Sequence, residues 1–315
     1  MSTTTAPAIG VEGLTKRFGD VTAVDGITYR VERGEVFGFL GPNGAGKTTT
    51  TRMLTGVLRP DAGSARIAGH DVRTDRQAAK RSVGIVPEGF DAYPDLSAWR
   101  NLLLAGELYG VPREIRRERA DDLLESFGLS DRRSSPASQF SKGMKQRLML
   151  AMALIHDPDV LFLDEPISGL DVESQRLIRE RIDALNEAGH TIFLTTHDLA
   201  EAEALCDRVA IIDRGTIAAI DSPEALTRTI ERTQAVEVAF ETGQAAVDRN
   251  ALADLRAVEN VERCGEGYRL GTADPHACVE SLLAFTRADG ARIRALHTCG
   301  PSLEDAFVAL TEGDL

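Results

Sequence analysis

Residues Gly41–Thr48 read Gly-Pro-Asn-Gly-Ala-Gly-Lys-Thr, a glycine-rich loop closed by a lysine and a hydroxyl residue. No other feature limits the possible folds so tightly. The apolar run Val36–Leu40 leads into it as a buried strand, and Lys47–Thr55 leaves it as a helix. A strand, a glycine loop and a helix in this order belong to an α/β sheet with a phosphate nest at the helix start. Gly41, Gly44 and Gly46 are expected at positive φ, turning backbone N–H groups inward. The candidate nucleotide contacts are Gly41, Pro42, Asn43, Gly44, Ala45, Gly46, Lys47, Thr48 and Thr49. Lys47 supplies a point charge for the β- and γ-phosphates, and the Thr48 hydroxyl is a candidate Mg²⁺ ligand.

The apolar run Val160–Leu163 ends in two carboxylates, Asp164 and Glu165. Alternation along a strand sends these side chains to opposite sides, one toward Mg²⁺ and the other toward an attacking water. By itself the pair could equally cap a buried strand in solvent. Downstream of a phosphate loop, at the carboxyl edge of a sheet where ligands bind, the catalytic reading prevails. Ser141 opens the helix before this strand as a natural N-cap, where free amides suit an anion.

A chain of 315 residues has room for about two domains. Strand and helix signals alternate through Val160–Leu163, the helix after Asp171, Thr191–Leu194, the helix from Asp198 and Val209–Ile212. That alternation predicts parallel strands in an α/β core. Further strands are expected within 21–40 and at Ala65–Ala68 and Val83–Val86, with helical periodicity from Ala98 to Leu129. A closing helix spans Ser222–Thr233. Beyond it, strands at Val236–Phe240, Tyr268–Gly271 and Arg292–Leu296 mix with helices at Pro275–Thr286 and Leu303–Leu310. The expected organisation is a flexible segment 1–8, a nucleotide-binding domain over 9–232 with a helical subdomain at about 89–155, and a small α+β domain over 233–315.

The net charge of −13 argues against a nucleic-acid surface. Arg113, Arg116, Arg117 and Arg119 are interleaved with acidic residues at 114, 118, 121, 122 and 125, which reads as a solvated helix face. Cysteines 206, 264, 278 and 299 have no metal-ligand spacing. The sequence has neither the apolar stretch of a spanning helix nor a signal-peptide start, so a cytoplasmic protein is expected.

Taken together, the chain resembles the ATP-binding subunit of an ATP-binding-cassette transporter. Gly41–Thr48 matches its Walker A loop, Val160–Asp164 with Glu165 its Walker B strand, and Phe140–Met144 its signature segment. Ser168–Asp171 resembles the D-loop and His197 the switch histidine, so the match covers about residues 10 to 225. The resemblance implies a P-loop NTPase fold with a mixed-sheet core and a helical subdomain. It also implies two such subunits, in a homodimer or with a paired relative, holding two ATP molecules between them. Phe18 then stacks on adenine, Ser141 and Gly143 meet the γ-phosphate from the facing subunit, and Asp171 of the D-loop belongs to the nucleotide site. Thr48 and Asp164 hold Mg²⁺, Glu165 is the general base, and His197 braces the γ-phosphate.

Two segments depart from the pattern. Glu88 stands where the family has glutamine; a carboxylate accepts hydrogen bonds without donating, and it is a candidate Mg²⁺ ligand. Phe140, Lys142 and Met144 replace leucine, glycine and glutamine of the usual signature. The tail Pro301–Phe307 resembles daunorubicin-resistance-type exporter subunits of the ABC-2 group, whose extra domain aids pairing or regulation. The implied partner is an integral-membrane permease on a separate chain, docked near Tyr93–Leu96, with the protein peripheral on the inner face of the membrane. The implied cargo of such an exporter is drug-like, lipid or glycan. A soluble ATPase outside transport lacks the second cassette, coiled coil or zinc insertion expected of it here, and an import subunit lacks its C-terminal barrel.

Overall fold

The computed structural model describes residues 6–89, 92–228, 234–241, 247–265, 267–300 and 302–311. The expected end of the closing helix (229–233), most of the expected flexible start (1–5) and Pro301 of the tail lie outside the described residues. The chain divides into two units, Met1–Ser222 and Pro223–Leu315.

The first unit opens with β1 (Ile9–Phe18), β2 (Val21–Val31), β3 (Val36–Leu40) and α1 (Lys47–Leu54). It continues with β4 (Ala62–Ile67), β5 (His70–Asp71), α2 (Arg76–Arg81) and β6 (Val83–Val86). Three helices follow, α3 (Ala98–Leu108), α4 (Arg113–Ser126) and α5 (Lys142–Leu154). The unit closes with β7 (Val160–Asp164), α6 (Val172–Glu187), β8 (Thr191–Thr196), α7 (Leu199–Leu205), β9 (Arg208–Asp213) and β10 (Thr216–Asp221).

Its larger sheet has the order β10-β9-β3-β8-β7-β6. The five strands from β9 to β6 run parallel, and β10 adds an antiparallel edge. Strands β3 and β7 are almost wholly apolar and buried, and β8 is buried along its length around Ile192, Phe193 and Leu194, as parallel strands covered on both faces must be. An antiparallel sheet, β2-β1-β4-β5, packs on this one. The contact is aromatic. Tyr29 of β2 stacks on Phe37 of β3 with ring centroids 5.6 Å apart, and Phe39, Phe162 and Phe193 complete the cluster. Such pairs add about 0.5–1.5 kcal/mol each beyond area burial.

The Tyr29 hydroxyl is buried in this cluster without a hydrogen-bond partner, and burial holds it well above the usual phenol range. A stranded polar atom of this kind costs about 1–3 kcal/mol. Tyr29→Phe is therefore expected to raise stability by about 1 kcal/mol, read as a higher urea midpoint with an unchanged slope. A midpoint that falls would mean that the hydroxyl has a partner in solution.

Helices α3, α4 and α5 pack on one another. Of the arginine run on α4, Arg117 lies near an interleaved acid, whereas Arg116 and Arg119 reach carboxylates outside the helix. Arg116 meets Glu107 at 2.8 Å, Arg119 meets Asp157 at 3.2 Å, and Arg117 lies 4.0 Å from Glu114.

The second unit contains α8 (Pro223–Arg228), β11 (Gln234–Phe240), α9 (Arg249–Ala253) and β12 (Asn260–Cys264). It ends with β13 (Gly267–Thr272), α10 (Pro275–Asp289), β14 (Ile293–Cys299) and α11 (Leu303–Thr311). The sequence reading places residues 223–232 with the first domain; in the structure α8 lies against α11 of the second unit. From β11 to β14 the chain order is β-α-β-β-α-β and the sheet order is β12-β13-β11-β14, all antiparallel. This is the ferredoxin-like arrangement. Val236, Val238, Val261 and Leu270 bury one sheet face against Cys278 and Leu282 of α10.

Candidate functional site

The sheet register brings the site together. Leu40, the last residue of β3, pairs with Thr196 of β8, and Asp164 of β7 pairs with Thr195. The carboxyl ends of three neighbouring strands thus finish level, and the glycine loop, Asp164-Glu165 and His197 all leave from that edge. Ligands of parallel α/β sheets bind at such an edge.

Two glycines of the loop are fixed for different reasons. Gly46 caps α1 at φ 113°, and a side chain there would also come within 2.6 Å of the Ala23 carbonyl oxygen. Gly41 is not at positive φ, contrary to the sequence expectation. It is required because a Cβ would run into the Ile212 carbonyl of the adjacent β9. The loop is pressed against its own sheet.

Lys47 folds back over the loop, donating to the carbonyls of Gly41 at 2.5 Å and Pro42 at 3.2 Å. Burial pulls its ammonium below the ordinary range, while Glu165, Asp164 and Glu88 pull it back up. One cleft is lined by Pro42, Asn43, Gly44, Gly46, Lys47, Thr48, Thr49, Glu88, Asp164 and Glu165, together with Ala23. Ten of the sequence-predicted residues therefore meet in one place.

Asp164 accepts a hydrogen bond from the Thr195 hydroxyl, which fixes its carboxylate at the strand end. Glu165 departs from the expectation of strand alternation. Its backbone is left-handed at φ 52°, so it has already left the strand, and both carboxylates line the same cleft. A non-glycine residue at positive φ is strained, and such strain gathers at functional sites. The turn is held by Glu165 N–H donating to Thr195 O at 2.9 Å and by Ser168 N–H donating to Glu165 O at 3.2 Å.

His197 Nδ1 lies 2.7 Å from Glu165 Oε1. The hydrogen bond to Glu165, and then that residue's charge, hold the imidazole above the ordinary histidine value. The Glu165 side chain is only 11% exposed against 66% for His197, so the histidine covers the carboxylate from the solvent side. An oriented carboxylate in this state can accept a proton from water.

The other predicted residues are elsewhere. Phe18 is 51% exposed at the end of β1, with the Lys16 ammonium 5.4 Å from its ring centroid. It is not a core residue, and its ring is free to stack. Ser141, Gly143 and Asp171 form a second group. Ser141 caps α5 by accepting from Met144 N–H at 3.3 Å, and Asp171 caps α6 by accepting from Ser174 N–H at 2.9 Å. That hydrogen bond from the Ser174 amide is the main reason the Asp171 carboxyl sits below its usual range. Gly143 is buried where a Cβ would meet the Ser174 hydroxyl, so the two helix starts abut. Lys142 Nζ donates to the Ser168 carbonyl at 2.8 Å, tying the two loops together. None of these three residues lines the cleft of Lys47.

Sequence reasoning missed Thr195, Thr196 and Glu201, which hold the site from behind, and Asn101. Asn101 is fully buried; its side chain accepts from Tyr93 N–H at 2.8 Å and donates to the carbonyls of Tyr93, Leu96 and Ser97. It thereby shapes the loop before α3. The threonine pair ending an apolar strand was the one available signal. Asn101 gave none.

The donor set suits Mg²⁺. Thr48, Asp164 and Glu88 offer hard oxygen atoms on one cleft. Among the described residues no three His, Cys, Asp or Glu side chains converge to hold a metal alone. A few protein oxygens supplemented by substrate phosphates is the usual Mg²⁺ arrangement.

Fold and site define a P-loop ATPase: a nested phosphate loop, an acidic strand end and a histidine-covered carboxylate on one sheet edge. The ABC transporter family model matches residues 24–168. Over 306 residues the chain is 41% identical to the Nod factor export ATP-binding protein I of Ralstonia nicotianae, covering 97% of this chain and 94% of that one. It is 35% identical to the linearmycin resistance ATP-binding protein LnrL of Bacillus subtilis, over 95% and 97% of the two chains. The daunorubicin/doxorubicin resistance ATP-binding protein DrrA of Streptomyces peucetius is also 35% identical, over 99% and 94%. A solved ATP-binding subunit of an ABC transporter superposes with a TM-score of 0.65 at 32% identity, over 70% of this chain and 92% of that one. The chain belongs to the ABC transporter family, and it is an ATP-binding subunit that hydrolyses ATP to power transport. Among the described residues no helix is long and apolar enough to cross a membrane.

Proposed function

We propose that this chain energises an ABC-2 type exporter whose permease is a separate polypeptide, and that it works as a dimer with two ATP molecules at the interface. One observation carries the reading. The cleft is lined by the phosphate loop and the acidic pair, with His197 hydrogen-bonded to its Glu165, while the Ser141–Gly143 helix tip of the same chain does not line it. Half of the expected site is therefore left for a second subunit to supply.

In this reading the loop amides and Lys47 bind the phosphates, with Lys47 exchanging its carbonyl partners for phosphate oxygens. Ser141 and Gly143 of the facing subunit close over the γ-phosphate, and Phe18 stacks on adenine. Asp171 shapes the loop that accompanies this tip. Mg²⁺, when held by Thr48 and Asp164 with Glu88 beside them, neutralises phosphate charge. Glu165 takes the proton of the attacking water, and His197 keeps Glu165 oriented and reaches the γ-phosphate. Positioning and charge compensation supply most of the rate in phosphoryl transfer.

Export is favoured by the relatives, which are named for Nod factor export and for resistance to linearmycin and daunorubicin. The resistance names support a drug-like cargo, and lipid or glycan cargo is the other version of this reading. The loop shaped by Asn101 presents Tyr93, 48% exposed, as part of the surface for the permease on the inner membrane face. The ferredoxin-like unit serves pairing or regulation. Co-purification from detergent-solubilised membranes is expected to bring down a polytopic membrane protein and to give ATPase activity that responds to cargo. A preparation that hydrolyses ATP at full rate and never retains a membrane partner would count against the transport role.

A further inference from the structure

Directly behind His197 is a carboxylate that the reaction described above leaves unused. Glu201 of α7 is 1% exposed. Its Oε2 accepts from the Thr196 hydroxyl at 2.7 Å, while its Oε1 is buried without a hydrogen-bond partner. The Thr196 oxygen in turn accepts from Asp198 N–H at 3.0 Å, and Asp198 Oδ1 accepts from Glu201 N–H at 3.1 Å. These bonds form a closed circuit that grips the chain on both sides of residue 197.

A helix opening with Asp at the N-cap and Glu three residues later normally forms a capping box, in which the glutamate reaches the N-cap amide directly. Here the Thr196 hydroxyl is inserted between them. The helix start is thereby fastened to the last residue of β8. A cap alone does not require a buried carboxylate with one oxygen unmatched, because the Asp198 side chain already caps α7.

We propose that Glu201 is a positioning residue for His197, fixing through Thr196 and Asp198 the backbone that aims the imidazole at Glu165. The histidine needs such support. It is largely exposed, sits between β8 and α7, and has its one side-chain hydrogen bond to Glu165. With the ring largely exposed, its aim depends on the backbone, and small misplacements at a reacting site are costly.

The surroundings agree. Burial pushes the Glu201 carboxyl up to about 7; the Thr196 hydrogen bond opposes this, Asp198 and Glu165 add to it, and Arg179 of α6 opposes it. The buried Cys206 thiol at the far end of α7 is itself raised, chiefly by burial and partly by Glu201. A glutamine at 201 keeps the acceptor for Thr196 without the charge.

The inference rests on reading His197 and Glu165 as parts of the hydrolysis site, and its test is built to separate the two. In the full-length protein the His197 imidazole is titrated by NMR, its signal assigned with His197→Gln. In the native protein the hydrogen bond to Glu165 is expected to hold it above the ordinary histidine value. Glu201→Ala is expected to return it toward that value and to lower kcat about tenfold with KM for ATP unchanged. Glu201→Gln is expected to restore both. Thr196→Val cuts the same circuit at a different side chain and serves if Glu201→Ala does not fold. A shifted titration with kcat unchanged supports the positioning and removes His197 from hydrolysis. A titration that neither Glu201→Ala nor Thr196→Val moves overturns the proposal, whatever happens to kcat.

Discussion

Glu165→Gln is expected to lower ATP turnover by about 10²–10⁴-fold while leaving ATP binding intact. The residue's geometry supports both halves of this expectation. Its carboxylate lies on the phosphate cleft, covered by His197 at 2.7 Å, in a backbone turn that only an enforced conformation keeps at φ 52°. Glutamine preserves the shape and can still accept from the histidine, but it cannot take a proton from water. It also removes one negative charge from a cleft that must receive the γ-phosphate. The variant should therefore accumulate as an ATP-held dimer, seen as a doubled mass on light scattering when Mg²⁺ and ATP are added. Phosphate release near the native rate would take Glu165 out of the mechanism.

Lys47→Ala has the second large effect, and on binding rather than on the chemical step. The Lys47 ammonium is half sequestered, held by the two carbonyls of its own loop and surrounded by Glu165, Asp164 and Glu88. Without it, three carboxylates and the nucleotide phosphates face one another with only the amides and Mg²⁺ to compensate. A charged hydrogen bond contributes about 1.5–3 kcal/mol, so ATP affinity should fall by about 10- to 100-fold. Titration with a fluorescent ATP analogue measures this directly. Unchanged affinity would contradict the assignment of the phosphate loop.

Much of the fold is legible because its strongest signals are local. Val36–Leu40, Val160–Leu163 and Thr191–Leu194 are short apolar runs beside turn residues, and each is a buried parallel strand. Strand β1 escaped the sequence reading. Its pairing with β2 shifts register between Val11 and Leu14, again before Lys16 and again before Arg17, so its polar alternation never settles into a period of two. The ferredoxin-like order of the second unit depends on which strands pair across long separations, which local patterns do not reveal.

The site divides in the same way. Residues that line the cleft belong to contiguous motifs and could be read. Those that aim them could not. Thr195 meets Asp164 across a sheet, Glu201 reaches Thr196 around a helix start, and Gly41 is dictated by a carbonyl on β9. Strand alternation also misplaced Glu165, because a single left-handed residue cancels the rule that put the two carboxylates on opposite sides.

The most direct measurement is a crystal structure of Glu165→Gln grown with Mg²⁺ and ATP. Each nucleotide should lie with its phosphates on the 44–48 amides and Lys47 of one protomer and against the Ser141 helix tip of the other. A nucleotide held by one chain alone, with Ser141 of the other turned away, would contradict the account.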